Sequence, residues 1–552
     1  MSKDTNQSKK IKKGSFMGNV LVIMVSQVLI KILGLVYRIY LTNRDGFGDI
    51  GNALYSAGYQ IYSLLLLLSS IGIPSAVSKL VSEKVTLGDY KGAHKTFKVS
   101  LFTVGCAGLL GSAFLFFGSG FIANNILSIP DTKLTLMCIA PSVFFVALSS
   151  VIRGYFNGRN TMKPTANSQS LEQVFKTIFT IVFVEIAAFA TSTNTVAMAV
   201  AANAATTFSV LSSFVYIILY FKKRKKFINE ELNSQTEYKE ERKKNILKRV
   251  LGVAIPLSLT SIIVSINKTI DAVTVPKALM TFLSSIEATR IYGIFSGKVD
   301  TLAGLPLSLN TAFSVALVPE LSSLQAAKDN NSIIKKISLS ILLTLLMAFP
   351  CAFGLSVFAQ PIFDLIFPNA NNGAYILSAY SFIVIFTMIN QNLNATLHGL
   401  GKFKTPVIAL SIGVVVKTIL NIILVPMESV GIYGAIASSI ICYAIVVGIE
   451  LYDLRKSINF KLDYIKCIFK PLIASIFMSI LSYLIFIGLE IIIPKKLATI
   501  IALAFAVIIY AISVVFLKIL DKDEYLAMPK GEKIYKLINK ITNKFTKTKP
   551  TN

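Results

Sequence analysis

Charge is scarce in this chain: Asp, Glu, Lys and Arg make up 15% of its 552 residues, against about a quarter in soluble proteins, which excludes an ordinary water-soluble domain. There are only two histidines, His94 and His398. Neither has a partner histidine, so a zinc site of the H-E-x-x-H kind is excluded. The five cysteines, Cys106, Cys138, Cys351, Cys442 and Cys467, form no C-x-x-C pair or metal-ligand spacing and read as small apolar residues. No metal site or cofactor is expected. ATP-hydrolysing machinery is absent: Gly293-Ile294-Phe295-Ser296-Gly297-Lys298-Val299 has the wrong glycine spacing for a phosphate loop and lacks Ser or Thr after the lysine. The polar stretches on one side of the apolar runs are too short for a catalytic domain. These absences point away from an enzyme.

What the chain has instead is apolar length: 54% hydrophobic residues and a mean hydropathy of +0.67. The lysine-rich start leads into an apolar run from Phe16 past Gly34, too long for a signal-peptide core of about 7 to 15 residues. A helix crossing the ~30 Å hydrocarbon core needs about 20 apolar residues. Fourteen such runs centre near 28, 66, 107, 144, 179, 207, 262, 304, 345, 384, 414, 441, 478 and 507. The net charge of +27 would suggest nucleic acid if it lay on one soluble face, but the bases sit between apolar runs, as in cytoplasmic loops meeting anionic lipid. With both termini cytoplasmic, 43 of the 55 Lys and Arg fall on the inner side, six on the outer side and six within spans. The expectation is a multi-pass protein of a bacterial plasma membrane that binds no nucleic acid.

The chain is internally duplicated. Arg153-Gly154-Tyr155-Phe156-Asn157-Gly158-Arg159 leads through Pro164 to Lys176-Thr177-Ile178, and Gly399-Leu400-Gly401-Lys402-Phe403-Lys404-Thr405-Pro406 leads to Lys417-Thr418-Ile419. Pro164 precedes Lys176 by 12 residues and Pro406 precedes Lys417 by 11; Pro74 to Pro164 is 90 residues and Pro319 to Pro406 is 87. Spans 1–6 therefore answer spans 7–12 with the same orientation, the parallel kind of transporter repeat, with the substrate site expected between halves. The expected organisation is a cytoplasmic tail (1–15), an N-lobe of spans 1–6 (16–221), a charged cytoplasmic linker (222–248), a C-lobe of spans 7–12 (249–456), two added spans 13–14 (457–520) and a basic cytoplasmic tail (521–552).

Ionisable residues inside spans cost at least ~2.5 kcal/mol unless they face protein, water or a partner. Lys31 and Arg38 on span 1, Lys268 and Asp271 on span 7 and Lys298 on span 8 are such residues. Arg38 can snorkel to the interface; Lys268 can pair with Asp271 at i, i+3; or the bases Lys31, Arg38, Lys268 and Lys298 can line a cationic cavity for an anionic head group. Glu172 and Lys176 at i, i+4 read as an ion pair, and together with Lys417 as candidates for an inner gate. Pro74, Pro256, Pro306 and Pro319 are expected to interrupt spans 2, 7 and 8 as hinges, with close helix packing at Gly72, Gly293, Gly297 and Gly304 as the alternative.

Three stretches carry a family resemblance: Ser26 to Gly34 with its lysine, Ile71-Gly72-Ile73-Pro74-Ser75-Ala76-Val77-Ser78-Lys79-Leu80-Val81-Ser82-Glu83, and Arg153-Gly154-Tyr155-Phe156-Asn157-Gly158 running on to Met162-Lys163-Pro164-Thr165-Ala166 and Ser168-Gln169-Ser170-Leu171-Glu172-Gln173. Together they resemble the stage V sporulation protein B and YtgP-type branch of the polysaccharide exporter proteins, which includes MurJ-like lipid II flippases within the superfamily shared with MATE drug exporters. The resemblance covers the whole fourteen-span length. It implies an all-α membrane fold of two six-helix lobes with two extra helices forming a groove for a lipid tail. It also implies a central cationic cavity for the pyrophosphate and sugars of an undecaprenyl-linked precursor. In that pattern Lys31 matches the basic position on span 1, Arg38 lies near the second, and Lys298 is close to the arginine of span 8. The chain departs from it in span 2, where Ser63-Leu64-Leu65-Leu66-Leu67-Leu68 holds no base.

The reading that follows is a flippase carrying an undecaprenyl-pyrophosphate-linked cell-wall precursor, lipid II first, from inner to outer leaflet. Its drive would be the membrane potential or a monovalent coupling cation, with Asp271 the candidate cation site. Two alternatives stay open. A multidrug/cation antiporter would need carboxylates where this cavity is basic, and a membrane scaffold would recruit cell-wall synthesis enzymes through the linker and tail.

Overall fold

The computed structural model describes residues 30–524, except 31, 68–72, 160, 236–239, 459, 461 and 523. Among the described residues all regular structure is helical, as lipid demands of any segment that must satisfy its own backbone hydrogen bonds. Helix α1 covers 32–43. It is followed by α2 (Gly48–Leu67), α3 (Ile73–Thr86), α4 (Tyr90–Phe121), α5 (Thr132–Gly158), α6 (Lys163–Ala190), α7 (Thr195–Ser234), α8 (Lys243–Leu279) and α9 (Ser285–Gly293). Then come α10 (Asp300–Ala326), α11 (Asn330–Val357), α12 (Ala359–Ile366), α13 (Ala374–Tyr380), α14 (Ile383–Gly399), α15 (Lys404–Leu424), α16 (Ile432–Ile458), α17 (Lys470–Glu490) and α18 (Lys495–Phe516). Wider π-helical turns occupy Ile122–Ile126, Ile294–Val299 and Ile465–Phe469.

Nine helices among the described residues are long and apolar enough to cross a membrane, and α13 with α14, bent by 42°, would make a tenth. Thirteen of the fourteen expected centres lie on described helices, and the first, near 28, lies outside the described residues. The segments α2, α8 and α9–α10 are the ones that carry Asp49, Asn52, Lys268, Asp271, Lys298 and Asp300. Large apolar side chains point outward along the spans: Phe189 is 93% exposed, Phe516 85% and Phe117 84%. Such surface would drive aggregation in water and suits lipid.

The prolines behave differently from expectation. Helix α8 runs through Pro256 and α10 through Pro306 and Pro319 without a break in helical structure. A proline removes one N–H, and a membrane helix absorbs that loss through neighbours and local adjustment. The irregular turn of this span falls earlier, at Ile294–Val299. Pro74 follows directly on residues 68–72, which lie outside the described residues.

The chain forms two compact units, residues 1–301 with 414–435 and residues 302–413 with 436–552. In the first, Val77, Val81, Phe97, Val151, Tyr155, Phe156 and Ile217 join α3, α4, α5 and α7 in one apolar cluster. Arg153, the arginine of the Arg-Gly-Tyr-Phe stretch, is buried at its edge and donates to Ser168 Oγ at 2.9 Å, Glu172 Oε2 at 3.0 Å and Ser213 Oγ at 2.8 Å, tying α5 to α6 and α7. Helix α7 continues through the charged stretch to Ser234. Beyond it, Glu241 accepts from Lys84 at 3.1 Å and Glu240 from Lys95 at 2.5 Å. In the second unit Ile337, Ile341, Leu345, Leu393, Leu397, Leu454 and Ala474 form the corresponding cluster across α11, α14, α16 and α17.

One turn is built twice. Before α4, Gly88 adopts φ +77°, and Asp89 accepts from the Gly92 N–H at 2.8 Å. Before α11, Lys328 adopts φ +56°, and Asp329 accepts from the Ser332 N–H at 3.1 Å. An aspartate cap of this kind contributes about 1 kcal/mol to its helix.

Candidate functional site

The ionisable residues of the spans gather in the first unit, and the geometry that gathers them begins with two glycines. A Cβ on Gly293 would lie 1.8 Å from the Asp49 carbonyl oxygen, and one on Gly297 would lie 2.7 Å from the Asn52 side chain. This Gly-x-x-x-Gly spacing therefore lets α2 lie directly on the π-helical turn, the close-packing use of small residues in membranes. Asp49 and Asn52, three apart on α2, meet that turn on one face. Asp49 reaches Lys298 Nζ at 2.7 Å, and Lys298 is fully buried.

On its other side Asn52 serves Arg38. The guanidinium donates to Asn52 Oδ1 at 3.2 Å and Ser56 Oγ at 3.1 Å and stands 4.7 Å from the centre of the Tyr55 ring. Asn52 is fixed in turn by donating to Thr42 Oγ1 at 2.9 Å. Arg38 thus points inward to neutral partners and does not snorkel. Lys176, on α6, approaches the same aromatic group. Its ammonium lies 4.3 Å from the Tyr59 ring centre, 5.3 Å from Tyr37 and 5.9 Å from Tyr55, and only 6% of the residue is exposed. Cation–π contacts of this kind are worth about 2 kcal/mol when desolvated.

Two expected pairings are corrected. Lys268 does not face Asp271: half-exposed, it lies 2.8 Å from Asp300. Asp271 holds Lys417 Nζ at 2.6 Å, with Lys417 also donating to Asn267 Oδ1 at 2.8 Å and Asn421 donating to Asp271 at 3.1 Å. The i, i+3 spacing permits a pair on one helix, but a second helix offers each group a better-aligned partner. Likewise Glu172 pairs with Arg153 at 3.0 Å, leaving Lys176 to the tyrosines. Lys176 and Lys417 each lie thirteen residues past the first residues of their helices, Lys163 and Lys404, about 20 Å along at 1.5 Å per residue, which is mid-span and away from a mouth. Lys31 lies outside the described residues.

Five bases, Arg38, Lys176, Lys268, Lys298 and Lys417, meet three carboxylates, Asp49, Asp271 and Asp300. Among the described residues, the two bases left without an ion pair are Arg38 and Lys176, on either side of Tyr55. Such a pair can receive an anion, since each cation is held in place by neutral groups. Sequence reasoning missed Asp49, Asn52, Asp300 and the tyrosines. The criterion that singled out Asp271, an acid inside an apolar run, applies equally to Asp300; the tyrosines gave no signal, because aromatic residues are common throughout the spans.

The family model described as polysaccharide biosynthesis protein matches residues 16–325. The chain is 26% identical over 454 residues to the lipid II flippase MurJ of Bacillus subtilis (strain 168), covering 79% of this chain and 81% of that protein. It is 27% identical over 457 residues to stage V sporulation protein B of the same organism, covering 80% and 83%. Among solved structures, lipid II flippase MurJ in an inward closed conformation matches with a TM-score of 0.68 at 18% identity, over 90% of this chain and 99% of that one. An inward-facing multidrug resistance MATE transporter of the MOP superfamily matches with 0.63 at 14% identity, over 80% and 98%. At these identities the structural likeness establishes an all-helical MurJ- and MATE-like membrane fold.

Proposed function

We propose, from the premise that the chain belongs to the polysaccharide biosynthesis protein family, that it is a flippase moving an undecaprenyl-pyrophosphate-linked cell-wall precursor, lipid II first, from the inner to the outer leaflet by alternating access. The observation that carries this reading is the pair Arg38 and Lys176. Two cations without carboxylate partners among the described residues, Lys176 buried and Arg38 partly so, set about one tyrosine, suit a pyrophosphate and repel the cationic drugs of an antiporter. Half-exposed Lys268 extends the basic surface, and Lys31 belongs to it by position. Lys298, fully buried on Asp49, supports the wall in this arrangement and joins the cavity only if that pair opens. The relatives that are flippases or sporulation proteins support the substrate class.

In this reading the chain has fourteen crossings with both termini in the cytoplasm of a bacterium, two six-span lobes (16–221 and 249–456), a linker at 222–248 and added spans over 457–520. The positive-inside bias and the twice-built aspartate turn support it. Pro74, by its place in the sequence, and the Ile294–Val299 turn are the bending points. The drive is the membrane potential: each negative charge moved outward across an inside-negative membrane gains about 2.3 kcal/mol per 100 mV. A coupling cation at Asp271 would have to displace the tethered ammonium of Lys417.

A spore-cortex or other polysaccharide precursor is the second reading, favoured by the comparable identity to stage V sporulation protein B. The test is reconstitution of the purified chain into vesicles with lipid II, scored by head-group accessibility from outside. Flipping by the wild type that is lost in Arg38→Ala and Lys176→Met supports the reading; wild-type rates in both variants overturn the site, and no flipping of lipid II alongside flipping of another undecaprenyl-linked precursor moves the substrate.

A further inference from the structure

The second unit buries one carboxyl group that none of this uses. Glu450 on α16 is fully buried, with no part of its surface exposed. Asn390 on α14 donates through a single amide nitrogen to both carboxyl oxygens, at 3.1 Å each, and Asn394 donates in turn to Asn390 Oδ1 at 3.2 Å. One turn to either side, Val447 and Leu454 pack with Leu393 and Leu397 in the apolar cluster of this unit. The Asn394 Oδ1 acceptor is itself buried without a hydrogen-bond partner.

No base reaches this carboxyl among the described residues. On its own helix, Asp453 is occupied by Lys402 at 2.9 Å and Thr405 at 2.8 Å, and Arg455 by Tyr464. On the elements packed around it, Glu320 of α10 pairs with Lys336 of α11 at 2.6 Å, and His398 of α14 stacks on Phe403 with ring centres 5.4 Å apart. Lys466 holds Asp521 and Glu524, and Tyr510 of α18 donates to the Leu346 carbonyl at 2.9 Å. Cys351 and Cys467 are free cysteines in the same unit. An ionised carboxylate sealed among apolar side chains with one amide donor pays most of its desolvation uncompensated, whereas the protonated acid does not.

We propose that Glu450 is a proton-binding site: it carries a proton while α14 and α16 are packed as here and releases it to water when they separate at the Lys402 end. That end is near. Glu450 lies eight residues before Ile458, the last residue of α16, about 12 Å along the helix. The exchange moves one proton between the carboxyl group and water and needs no other reactant. It makes the closed α14–α16 seam the protonated state and the open seam the ionised one. The protonation stands independently of the flippase reading; its use in coupling rests on that reading.

Infrared titration of the full chain in lipid nanodiscs tests the protonation. The expected result is a protonated-carboxyl carbonyl band at neutral pH that shifts on deuteration in the wild type and is lost in Glu450→Gln. A wild type without that band, or a variant that retains it in full, overturns the proposal. Flipping in vesicles under an imposed pH gradient tests the coupling. Glu450→Gln should keep its flipping without a gradient and lose the gradient response; a response equal to wild type overturns the coupling. Absence of flipping in the wild type would refute the flippase reading while leaving the infrared result to decide Glu450.

Discussion

Lys417 places its ammonium 2.6 Å from the Asp271 carboxylate, 146 residues earlier in the chain, while Lys176, as far into α6 as Lys417 is into α15, faces tyrosine rings. Two lysines at the same depth of their helices are used in two ways. The ammonium of Lys176 rests on neutral rings, and that of Lys417 is spent on an internal carboxylate.

That difference is measurable as stability. Asp271→Asn leaves Lys417 buried without its counter-charge and should cost roughly 3–5 kcal/mol, whereas the double variant Asp271→Asn, Lys417→Met removes both charges and should recover most of the loss. Thermal unfolding of the purified variants in detergent decides it. A double variant no better than the single would show that the pair is not the source.

Arg38→Lys should separate charge from shape. The lysine keeps the cation but cannot donate to Asn52 and Ser56 together as the guanidinium fork does. Flipping should fall about tenfold, corresponding to a single lost charged hydrogen bond of about 1.4 kcal/mol, with Arg38→Ala lower still. Rates measured in the same vesicles give the comparison.

Gly293→Ala should be among the most damaging small substitutions in the chain, because its Cβ would sit 1.8 Å from the Asp49 backbone. A Cβ on Gly304 would meet nothing within 4 Å among the described residues, so Gly304→Ala should be neutral or slightly stabilising. Yield of folded monomer and melting temperature read both; equal behaviour would contradict the close approach of α2.

Asp89 gives a pH dependence. Burial raises its carboxyl pKa, but the Gly92 N–H, Gln235 and Lys84 together outweigh burial and hold it below the usual range. A depressed folded pKa stabilises the native state above the unfolded value of about 3.9 and loses that contribution as pH falls through the folded value. The stability gap between wild type and Asp89→Asn, which keeps the cap, should therefore be constant near neutrality and close in acid.

Much of the fold was legible because lipid enforces simple rules: apolar length gives the helices, and thirteen of the expected centres fall on described ones. Which residues need partners was also partly legible, since Arg38, Lys268, Asp271 and Lys298 are costly inside a membrane and each has one. Who those partners are was not. Lys268 could be matched to Asp271 from spacing alone, yet Asp300 lies 32 residues away in sequence and is nearer in space. Helical periodicity reports neighbours on one helix, and pairing between helices depends on how closely they approach, which Gly293 and Gly297 decide by having no side chain. The prolines misled for a related reason: a missing N–H lowers the stability of a helix without fixing where it gives way.

The forty residues of α7 amount to a rod of about 60 Å, twice the ~30 Å hydrocarbon thickness. Its polar end is clasped to the end of α5 by Arg159 on Glu231, and Gln235 just beyond it reaches Lys91 and Asp89. The charged stretch therefore works as a pointer. Any tilt of α7 within the lipid is reproduced, enlarged, at residues 226–234, where a spectroscopic label on an exposed position such as Lys226 or Glu230 would register the motion of the first unit from outside the membrane.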